Sequence, residues 1–308
     1  MARRVTALAG GVGAAKLLVG LQDAVRDGEL TAIVNTGDDA TIYGVHVSPD
    51  LDIVTYWLAG IADVERGWGI RDDTFTVVEA LARLGVETWF RLGDRDFATC
   101  LHRTQRLRQG ATLSEITDGT RRALGVGCRI VPMSDDAVAT KVSTSDGRVL
   151  EFQEYFVKER AKPTVVGVRL EGAQDARPAP GALDAIERAD RVIVCPSNPI
   201  LSIGPILEIE GIRHALRHHP CVIAITPIVG GLALKGPADR LLEGLTGESS
   251  AAAVAALYRD FCDAFVVDES DRDQIDVVNE MGIRVAALDT LMTDGRASER
   301  LAAAALAL

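Results

Sequence analysis

The stretch that decides the fold is Arg4-Val5-Thr6-Ala7-Leu8-Ala9-Gly10-Gly11-Val12-Gly13-Ala14-Ala15-Lys16. Its apolar part, 4–9, predicts a buried strand, and the amphipathic run over 14–25 predicts a helix directly after it. A glycine turn between a strand and a helix directs backbone N–H groups and the positive end of the helix dipole toward an anion. Glycine suits such a turn because a side chain would block a phosphate or forbid a positive φ. The stretch therefore predicts a phosphate-binding loop.

This loop matches neither of two common nucleotide-binding patterns. Lys16 is followed by Leu17 and lacks the glycine spacing of a P-loop. The same lysine occupies the position of the third glycine of a dinucleotide fingerprint, and the second strand ends at Asn35 instead of an acidic residue. A nicotinamide cofactor is therefore disfavoured. The alternative is a glycine turn that only permits close packing of strand and helix.

Composition narrows the class of protein. The chain has 308 residues, of which 47% are hydrophobic and 5% aromatic, and this length is sufficient for one large α/β domain. The net charge of −11 argues against a nucleic-acid partner, so the basic runs at 103–108 and 121–122 are expected on solvated helix faces. Five scattered cysteines without a C-x-x-C pattern indicate a reduced, cytoplasmic protein. No stretch has transmembrane length, so no membrane partner is expected.

Strand-like and helix-like runs alternate along the chain. Strands are predicted at 5–9, 31–34, 191–195, 221–226, 264–267 and 284–288, and helices at 14–25, 205–217, 237–245, 250–262, 270–281 and 298–306. The alternation predicts an α/β fold with a Rossmann-like, doubly wound parallel sheet. We expect a single domain over 1–308, with its core at about 1–52 and 175–308. The insertion after the second strand, at about 53–174, is predicted to be helical to 124 and β-rich over 129–170, with a hairpin turn at 145–147.

This topology predicts where a ligand binds. In doubly wound sheets, ligands lie at the carboxyl ends of the strands, where the strand order reverses. The glycine loop would there face the loop after Cys195, in which prolines hold Ser197 and Asn198 just before a helix. A third loop at the same edge contains Gly230 and Gly231. The alternative for Ser197 and Asn198 is an ordinary helix cap.

Acidic residues mark a second candidate site. They follow the second strand in the segments Asn35-Thr36-Gly37-Asp38-Asp39 and Ser48-Pro49-Asp50-Leu51-Asp52. The carboxylates of Asp50 and Asp52, near a phosphate loop, predict a Mg²⁺ site that would bridge phosphate oxygens. Helix capping is the alternative, and it better suits Asp72 and Asp73, which precede a predicted helix over 74–84.

Seven motifs in order resemble the 2-phospho-L-lactate transferase family. They are GGVGAAKL (10–17), VNTGDD (34–39), SPDLD (48–52), WGIRDDTF (68–75), LGDRD (92–96), PMSDD (132–136) and PSNPILSIGPIL (196–207). The motifs span nearly the whole chain. The family acts in the biosynthesis of coenzyme F(420) and includes the phosphoenolpyruvate-type bacterial transferases.

The resemblance implies a reaction. A phospholactyl or phosphoenolpyruvyl group would pass from a guanosine-diphosphate (GDP) activated donor to the ribityl hydroxyl of the deazaflavin Fo. GMP would leave, and F(420)-0 or dehydro-F(420)-0 would form. In-line attack by a positioned alcohol needs orientation and charge stabilisation more than a protein nucleophile.

The resemblance also implies roles for residues. Asp52, with Asp50 beside it, and Arg91 match the deazaflavin contacts of the family, and His46 in the acidic loop is a further candidate contact. Asp50 and Asp52 would hold Mg²⁺, and one of them would accept the ribityl proton. The GDP part of the donor would be bound by Gly10, Gly11, Val12, Gly13, Lys16, Ser197, Asn198, Gly230 and Gly231. The family often has lysine where this chain has Arg91, whose planar group can also stack on a flat ring.

Other interpretations stay open. A related group of proteins with this fold binds nucleotide-sugars as regulators without catalysis, but it lacks close matches to SPDLD and LGDRD. A Rossmann-type oxidoreductase is the third possibility. Among activated donors, the lactyl, enolpyruvyl and glyceryl forms are all used in the family. The excess of arginine over lysine points to a GC-rich bacterial genome, where the enolpyruvyl donor is common among relatives.

The family also implies a homodimer. The apolar tail Leu301–Leu308 would either pack on a partner subunit or close the last helix onto its own chain.

Overall fold

The computed structural model describes residues 3–25, 29–234 and 236–308. Its strands are β1 (Arg4–Ala9), β2 (Glu29–Val34), β3 (Ala40–Ile42), β4 (Val45–Val47), β5 (Arg129–Pro132), β6 (Ala139–Thr144), β7 (Val149–Glu151), β8 (Val165–Glu171), β9 (Arg191–Val194), β10 (Val222–Ile225), β11 (Ile228–Val229), β12 (Leu232–Ala233), β13 (Ala264–Asp268) and β14 (Arg284–Leu288).

The α-helices are α1 (Gly11–Ala24), α2 (Pro49–Leu58), α3 (Thr76–Arg83), α4 (Asp94–Arg108), α5 (Leu113–Ala123), α6 (Ala182–Glu187), α7 (Gly204–Glu208), α8 (Ile212–His218), α9 (Ala238–Thr246), α10 (Ala251–Tyr258), α11 (Ile275–Glu280) and α12 (Gly295–Leu306). Two π-helical turns, Glu154–Lys158 and Pro199–Ile203, and a 3₁₀ helix, Glu269–Gln274, complete the regular structure of the described residues.

The main sheet has seven strands in the order β14-β13-β10-β9-β1-β2-β5, and every neighbouring pair is parallel. The chain enters the sheet at β1, next to the central strand β9, and moves outward through β2 and β5. It then returns to β9, on the other side of β1, and moves outward to β14. This arrangement confirms the predicted doubly wound α/β fold. The strand order reverses between β1 and β9, so the expected ligand edge lies there.

The central strands are buried on both faces. Leu8, Ile33 and Val194 belong to the core on one side of the sheet, whereas Ala7 and Val34 belong to the core on the other. Because side chains alternate along a strand, burial on both faces requires the continuous apolar runs that the sequence shows. This is why these strands could be predicted from the sequence.

The insertion differs from the prediction in one respect. The strand β5, predicted inside it, is the outermost strand of the main sheet and pairs in parallel with β2. The chain therefore leaves the sheet twice, over 35–128 with α2 to α5 and over 133–190 with the antiparallel sheet β7-β6-β8. The hairpin predicted at 145–147 is confirmed, and its Gly147 has a φ of +84°. Because β5 has only four residues, its sequence pattern does not indicate which sheet it joins.

Two predicted helices are interrupted. The run over 205–217 divides into α7 and α8 at Gly211, which has a φ of +80°. The run over 270–281 begins as the 3₁₀ helix and continues as α11. The apolar residues keep their helical spacing across both breaks. The periodicity of the sequence therefore did not indicate either break.

The last helix closes onto its own chain. At Gly20 of α1, a Cβ would lie well inside 3.0 Å of the Ser298 carbonyl oxygen, so α1 and α12 approach backbone to backbone. Leu301 and Leu306 are buried in the core beside α1. The C-terminal tail therefore packs on its own chain, which is one of the two arrangements predicted for it. Within the described ranges no helix is both long and apolar enough to cross a membrane.

Candidate active site

A cavity of about 430 Å³ opens at the edge of the sheet where the strand order reverses. Of the predicted site residues, it is lined by Gly10, Gly11, Val12, Gly13, Lys16, Asp50, Ser197 and Asn198. The cavity is also lined by residues that are not among the predicted site residues, namely Asp38, Phe152, Gln153 and Phe156. The glycine loop, the loop after β9 and the start of α2 therefore meet at one place.

The glycine loop packs too closely for side chains. A Cβ on Gly10 would lie well inside 3.0 Å of a carboxylate oxygen of Asp50, and one on Gly13 would do the same at the Pro196 carbonyl oxygen. Gly11 has a φ of +72°, which favours glycine. The Gly10 N–H donates to Ser197 Oγ over 3.2 Å. The loops after β1 and β9 are thus in direct contact, as the topology predicted.

Asn198 acts as a helix cap. Its Oδ1 accepts hydrogen bonds from the N–H groups of Ile200 and Leu201, over 2.9 and 3.0 Å, at the start of the π-helical turn Pro199–Ile203. This is the alternative reading of Asn198, and it leaves the side-chain amide nitrogen for other contacts at the cavity wall. The cap satisfies two backbone N–H groups of this turn and so stabilises it next to the cavity.

Two carboxylates share an amide donor beside the glycine loop. Asn35, which directly follows β2, donates from Nδ2 to Asp50 Oδ2 over 2.9 Å and to Asp38 Oδ1 over 3.2 Å. The Asn35 side chain is fixed in turn because its Oδ1 accepts from the Gly37 N–H. Both carboxyl groups are buried and line the cavity. Asp38 was missed, although its place in VNTGDD at the carboxyl end of β2 was a usable signal.

Burial disfavours the charged forms of these two carboxyl groups. It raises the pKa of Asp50 to about 6, although hydrogen bonds from Asn35, Ser202 and the Gly11 N–H oppose the shift. Burial also raises the pKa of Asp38 well above its usual range, and the charge of Asp50 adds to this effect. Within the described ranges, the side chains of Asn35, Gln153 and Ser202, which are neutral, donate to the two carboxylates. A bound cation would therefore stabilise the charged pair strongly.

Asp52 faces away from this cavity. Residues two apart on a helix do not share a face, so the Asp50 and Asp52 side chains leave α2 in different directions. Asp52 accepts two hydrogen bonds from Arg103 of α4, from Nη1 over 3.1 Å and from Nη2. The expectation that the basic run 103–108 is solvated is wrong for Arg103, whose side chain is 5% exposed.

Asp52 belongs to a buried polar cluster with Asp96 and Cys100, whose candidate ligand atoms lie within 4.8 Å of one another. Tyr56 donates its hydroxyl to Asp96 over 2.9 Å. Burial raises the pKa of Asp96 to about 7, and the Asp52 charge contributes to the shift. The cluster forms where α2 packs against α4, so no sequence spacing indicated it.

The remaining predicted site residues do not line the cavity. His46 contacts Asp39 through Nε2 over 2.8 Å. The guanidinium carbon of Arg91 lies 4.2 Å from the centre of the Phe75 ring. The Gly230 N–H donates to the carboxylate of Asp271, and Gly231 follows it in the same turn. The functional roles of His46, Arg91, Gly230 and Gly231 stay predictions.

Comparison with known proteins identifies the family. A family model described as 2-phospho-L-lactate transferase CofD matches residues 5–302. The chain belongs to this family. It is therefore a transferase of coenzyme F(420) biosynthesis, as the seven motifs implied.

Relatives in the CofD family carry two different names. A phosphoenolpyruvate transferase of Streptomyces griseus is 45% identical over 311 residues, covering 99% of this chain and 98% of the relative. A 2-phospho-L-lactate transferase of Methanopyrus kandleri is 45% identical over 303 residues, covering 97% of this chain and 95% of the relative. A crystal structure of a Bacillus halodurans protein shares the fold with a TM-score of 0.69, covering 99% of this chain and 100% of that chain, at 17% identity.

Proposed function

We propose that this CofD-family protein transfers a phospholactyl or phosphoenolpyruvyl group from a GDP-type activated donor to the ribityl hydroxyl of Fo. The hydroxyl oxygen would form a bond to the phosphorus that carries the three-carbon acid, and the bond from that phosphorus to GMP would break. The products would be GMP and F(420)-0 or dehydro-F(420)-0. The observation that carries this proposal is the close approach of Gly10 to the Asp50 carboxylate in one cavity.

The glycine loop supports the donor side of this proposal. Gly10 to Gly13 lie at the N-terminus of α1, a helix of 14 residues, and line the cavity. Backbone N–H groups and the helix dipole at such an end favour phosphate oxygens. We infer that the diphosphate of the donor binds there, beside Ser197, whose hydroxyl contacts the Gly10 N–H.

The buried carboxylates support a Mg²⁺ ion as cofactor. Asp38 and Asp50 both line the cavity and share the Asn35 donor, so their oxygens fit a hard cation. Asp52 is engaged by Arg103, so we propose Asp38 and Asp50 as the ligands instead of the pair that the sequence predicted. Bound there, Mg²⁺ would offset negative charge on the donor phosphates.

Asp50 is also the candidate acceptor of the ribityl proton. Its carboxylate lies directly beside Gly10 and lines the cavity, so it is next to the place where we propose that the donor phosphates bind. Of the other roles implied by the family, the deazaflavin contacts of Arg91 and His46 and the donor contacts of Gly230 and Gly231 are proposed unchanged. Asp52 is engaged by Arg103 and does not line the cavity, so we propose that it positions α2 and does not contact the deazaflavin.

We further propose a cytoplasmic homodimer. All five cysteines are buried and free, which suits a reducing compartment. A candidate subunit contact is α3, where Val77 is 36% and Leu84, just after the helix, 80% exposed. Uncovered apolar faces of this kind commonly bind a protein partner.

The test is one reaction with purified protein, Mg²⁺, Fo and equal amounts of the lactyl and enolpyruvyl donors, analysed by mass-resolved chromatography. We expect a phosphodiester of Fo and an equal amount of GMP. One relative of each name is 45% identical to this chain, so similarity does not decide between the donors and the product mass does. Asp50→Asn and omission of Mg²⁺ serve as controls. Intact Fo with these two donors and with the glyceryl donor would refute the transferase proposal.

A further inference from the structure

Two phenylalanines, Phe152 and Phe156, form an aromatic wall of the same cavity that the glycine loop lines. The rings of Phe152 and Phe156 are nearly parallel, with an interplanar angle of 8° and centroids 5.6 Å apart. Phe152 is partly buried against a small core cluster that includes Val142 of β6 and Val165 of β8. Phe156 is 38% exposed, so part of its ring surface is free on the cavity side.

The segment that carries the aromatic wall is hydrogen-bonded to Asp38, one of the two cavity carboxylates. Gln153, between the two phenylalanines, donates from Nε2 to the backbone oxygen and to Oδ2 of Asp38, each over 3.3 Å. Phe156 lies in the π-helical turn Glu154–Lys158, and such turns occur frequently at functional sites. The ring surface and the proposed reaction centre are therefore held in a fixed relation by one segment of chain.

The two sides of the cavity differ in chemistry. The side formed by the glycine loop and Ser197 presents backbone N–H groups and a hydroxyl, which suit phosphates. The side formed by Phe152 and Phe156 presents flat apolar surface, which suits an aromatic ring. Asp38 and Asp50 line the same cavity. An acceptor alcohol must meet the donor phosphorus at these carboxylates, so its ring is left on the aromatic side.

We propose that the free face of Phe156, backed by Phe152, stacks on the flat deazaflavin ring of Fo. This inference rests on the proposed transferase function and assigns an acceptor-binding residue within it. Phe156 contacts the ring, and Phe152 holds Phe156 in place. The apolar stack and the carboxylates would then bind opposite ends of the same acceptor, the ring and the ribityl chain.

The π-helical turn that carries Phe156 also contacts the segment that precedes Arg91. Lys158 pairs with Glu87 over 2.9 Å, and its Nζ lies 6.0 Å from the centre of the Trp89 ring. These contacts join the π-helical turn to the segment that precedes Arg91. The turn that carries Phe156 is therefore held against the segment that leads to Arg91, the cation that the family resemblance assigns to the deazaflavin.

The competing occupant is the guanine base of the donor, because any flat ring can stack on phenylalanine. The test measures binding of Fo and of GDP separately, by isothermal titration calorimetry, to wild type and to Phe156→Ala, Phe156→Tyr and Val166→Ala. Val166 is 58% exposed on β8 and does not line the cavity, so its variant controls for loss of exposed apolar surface. Far-ultraviolet circular dichroism confirms that each variant is folded.

We expect Phe156→Ala to raise the Kd for Fo about tenfold or more, because loss of one aromatic stacking partner has an effect of this size. Phe156→Tyr and Val166→Ala should remain within about twofold of wild type, and the Kd for GDP should not change. Unchanged Fo binding by Phe156→Ala would overturn the inference. Weakened GDP binding with normal Fo binding would overturn it too and assign the wall to guanine.

Failure of the proposed function gives a different result. If wild type itself binds no Fo and forms no product, the transferase proposal fails before Phe156 is tested. If wild type binds Fo and Phe156→Ala binds it equally well, only the assignment of the aromatic wall fails.

Discussion

Arg103 and Asp52 form a buried ion pair that joins α4 to α2 behind the candidate active site. Arg103 donates to both carboxylate oxygens of Asp52 and, over 3.1 Å, to the backbone oxygen of His46. Their side chains are only 5% and 8% exposed. One guanidinium therefore fixes both the first turn of α2, which carries Asp50, and the end of the β3–β4 hairpin.

The first prediction concerns this ion pair. Arg103→Met leaves the Asp52 charge buried without its partner, so we expect the free energy of unfolding to fall by about 3–5 kcal/mol in urea titrations. Arg106→Met, on the exposed face of the same helix, should change it by less than about 0.5 kcal/mol. The double variant Asp52→Asn, Arg103→Met should recover part of the loss. Equal stabilities for the two single variants would contradict a structural role for the pair.

Two family motifs, WGIRDDTF and LGDRD, show what the sequence could and could not predict. Asp73 was expected to cap its own helix, α3. Instead it accepts from the N–H groups of Arg95 and Asp96 at the start of α4, and Asp94 accepts from those of Thr76 and Val77 at the start of α3. Capping residues can be recognised from local sequence. An exchange of caps between helices depends on tertiary packing, which no local pattern contains.

The candidate site also contains some features that could be predicted from the sequence and one that could not. The contact between Gly10 and Ser197 followed from topology, since both loops leave neighbouring parallel strands at the same edge. The opposite directions of Asp50 and Asp52 follow from helical geometry once Pro49 is known to start α2. The phenylalanine wall required the second excursion, 133–190, to fold back over the cavity. Long-range packing of this kind has no periodicity in the sequence.

The second prediction separates the two possible Mg²⁺ ligand pairs. At pH 8, addition of Mg²⁺ should raise the melting temperature of wild type and of Asp52→Asn, because a ligand that binds only the folded state stabilises it. The same addition should not affect Asp38→Asn or Asp50→Asn. At pH 5 the effect on wild type should shrink, since Asp50, with a pKa of about 6, is then largely protonated. Loss of the shift in Asp52→Asn with retention in Asp38→Asn would favour the pair predicted from sequence.

The third prediction concerns Gly13. Alanine normally favours a helix by about 1 kcal/mol over glycine. A Cβ at Gly13, however, would meet the Pro196 carbonyl oxygen well inside 3.0 Å. We therefore expect Gly13→Ala to lower the free energy of unfolding by about 1–3 kcal/mol and to weaken GDP binding in calorimetric titrations.

Gly119 in α5 provides the matched control for Gly13. No atom lies within 4 Å of a Cβ at that position. Gly119→Ala should therefore leave GDP binding unchanged and stabilise the protein by up to about 1 kcal/mol. If Gly13→Ala behaves like Gly119→Ala, the tight contact between the two loops is not required for donor binding.

The fourth prediction tests the proposed homodimer. Leu84→Glu places a charge in the exposed apolar face next to α3, so light scattering after size-exclusion chromatography should give the monomer mass. Val149→Glu introduces the same charge on β7, where Val149 is 60% exposed, and should keep the dimer mass. A dimer in both variants would exclude the α3 face, and a monomeric wild type would refute the dimer itself.

The fifth prediction is a pH dependence of stability that originates at Asp96. Burial raises its pKa in the folded protein to about 7, from an ordinary value of 3.8. Between these values the folded state holds a proton that the unfolded state has released. The stabilisation is therefore complete below pH 4 and is lost as the pH rises to about 7.

Asp96→Asn keeps the shape and the ability to accept the Tyr56 hydroxyl, but it cannot titrate. We expect it to remove a slope of up to about 1.4 kcal/mol per pH unit from the free energy of unfolding between pH 5 and pH 7. The comparison is Asp94→Asn, because hydrogen bonds from Thr74 and Val77 lower the pKa of Asp94. Asp94 is therefore ionised in the folded state throughout this range, and its variant should keep the wild-type slope. A wild-type slope in Asp96→Asn would show that Asp96 is ionised in the folded protein and that Arg103 compensates both Asp52 and Asp96.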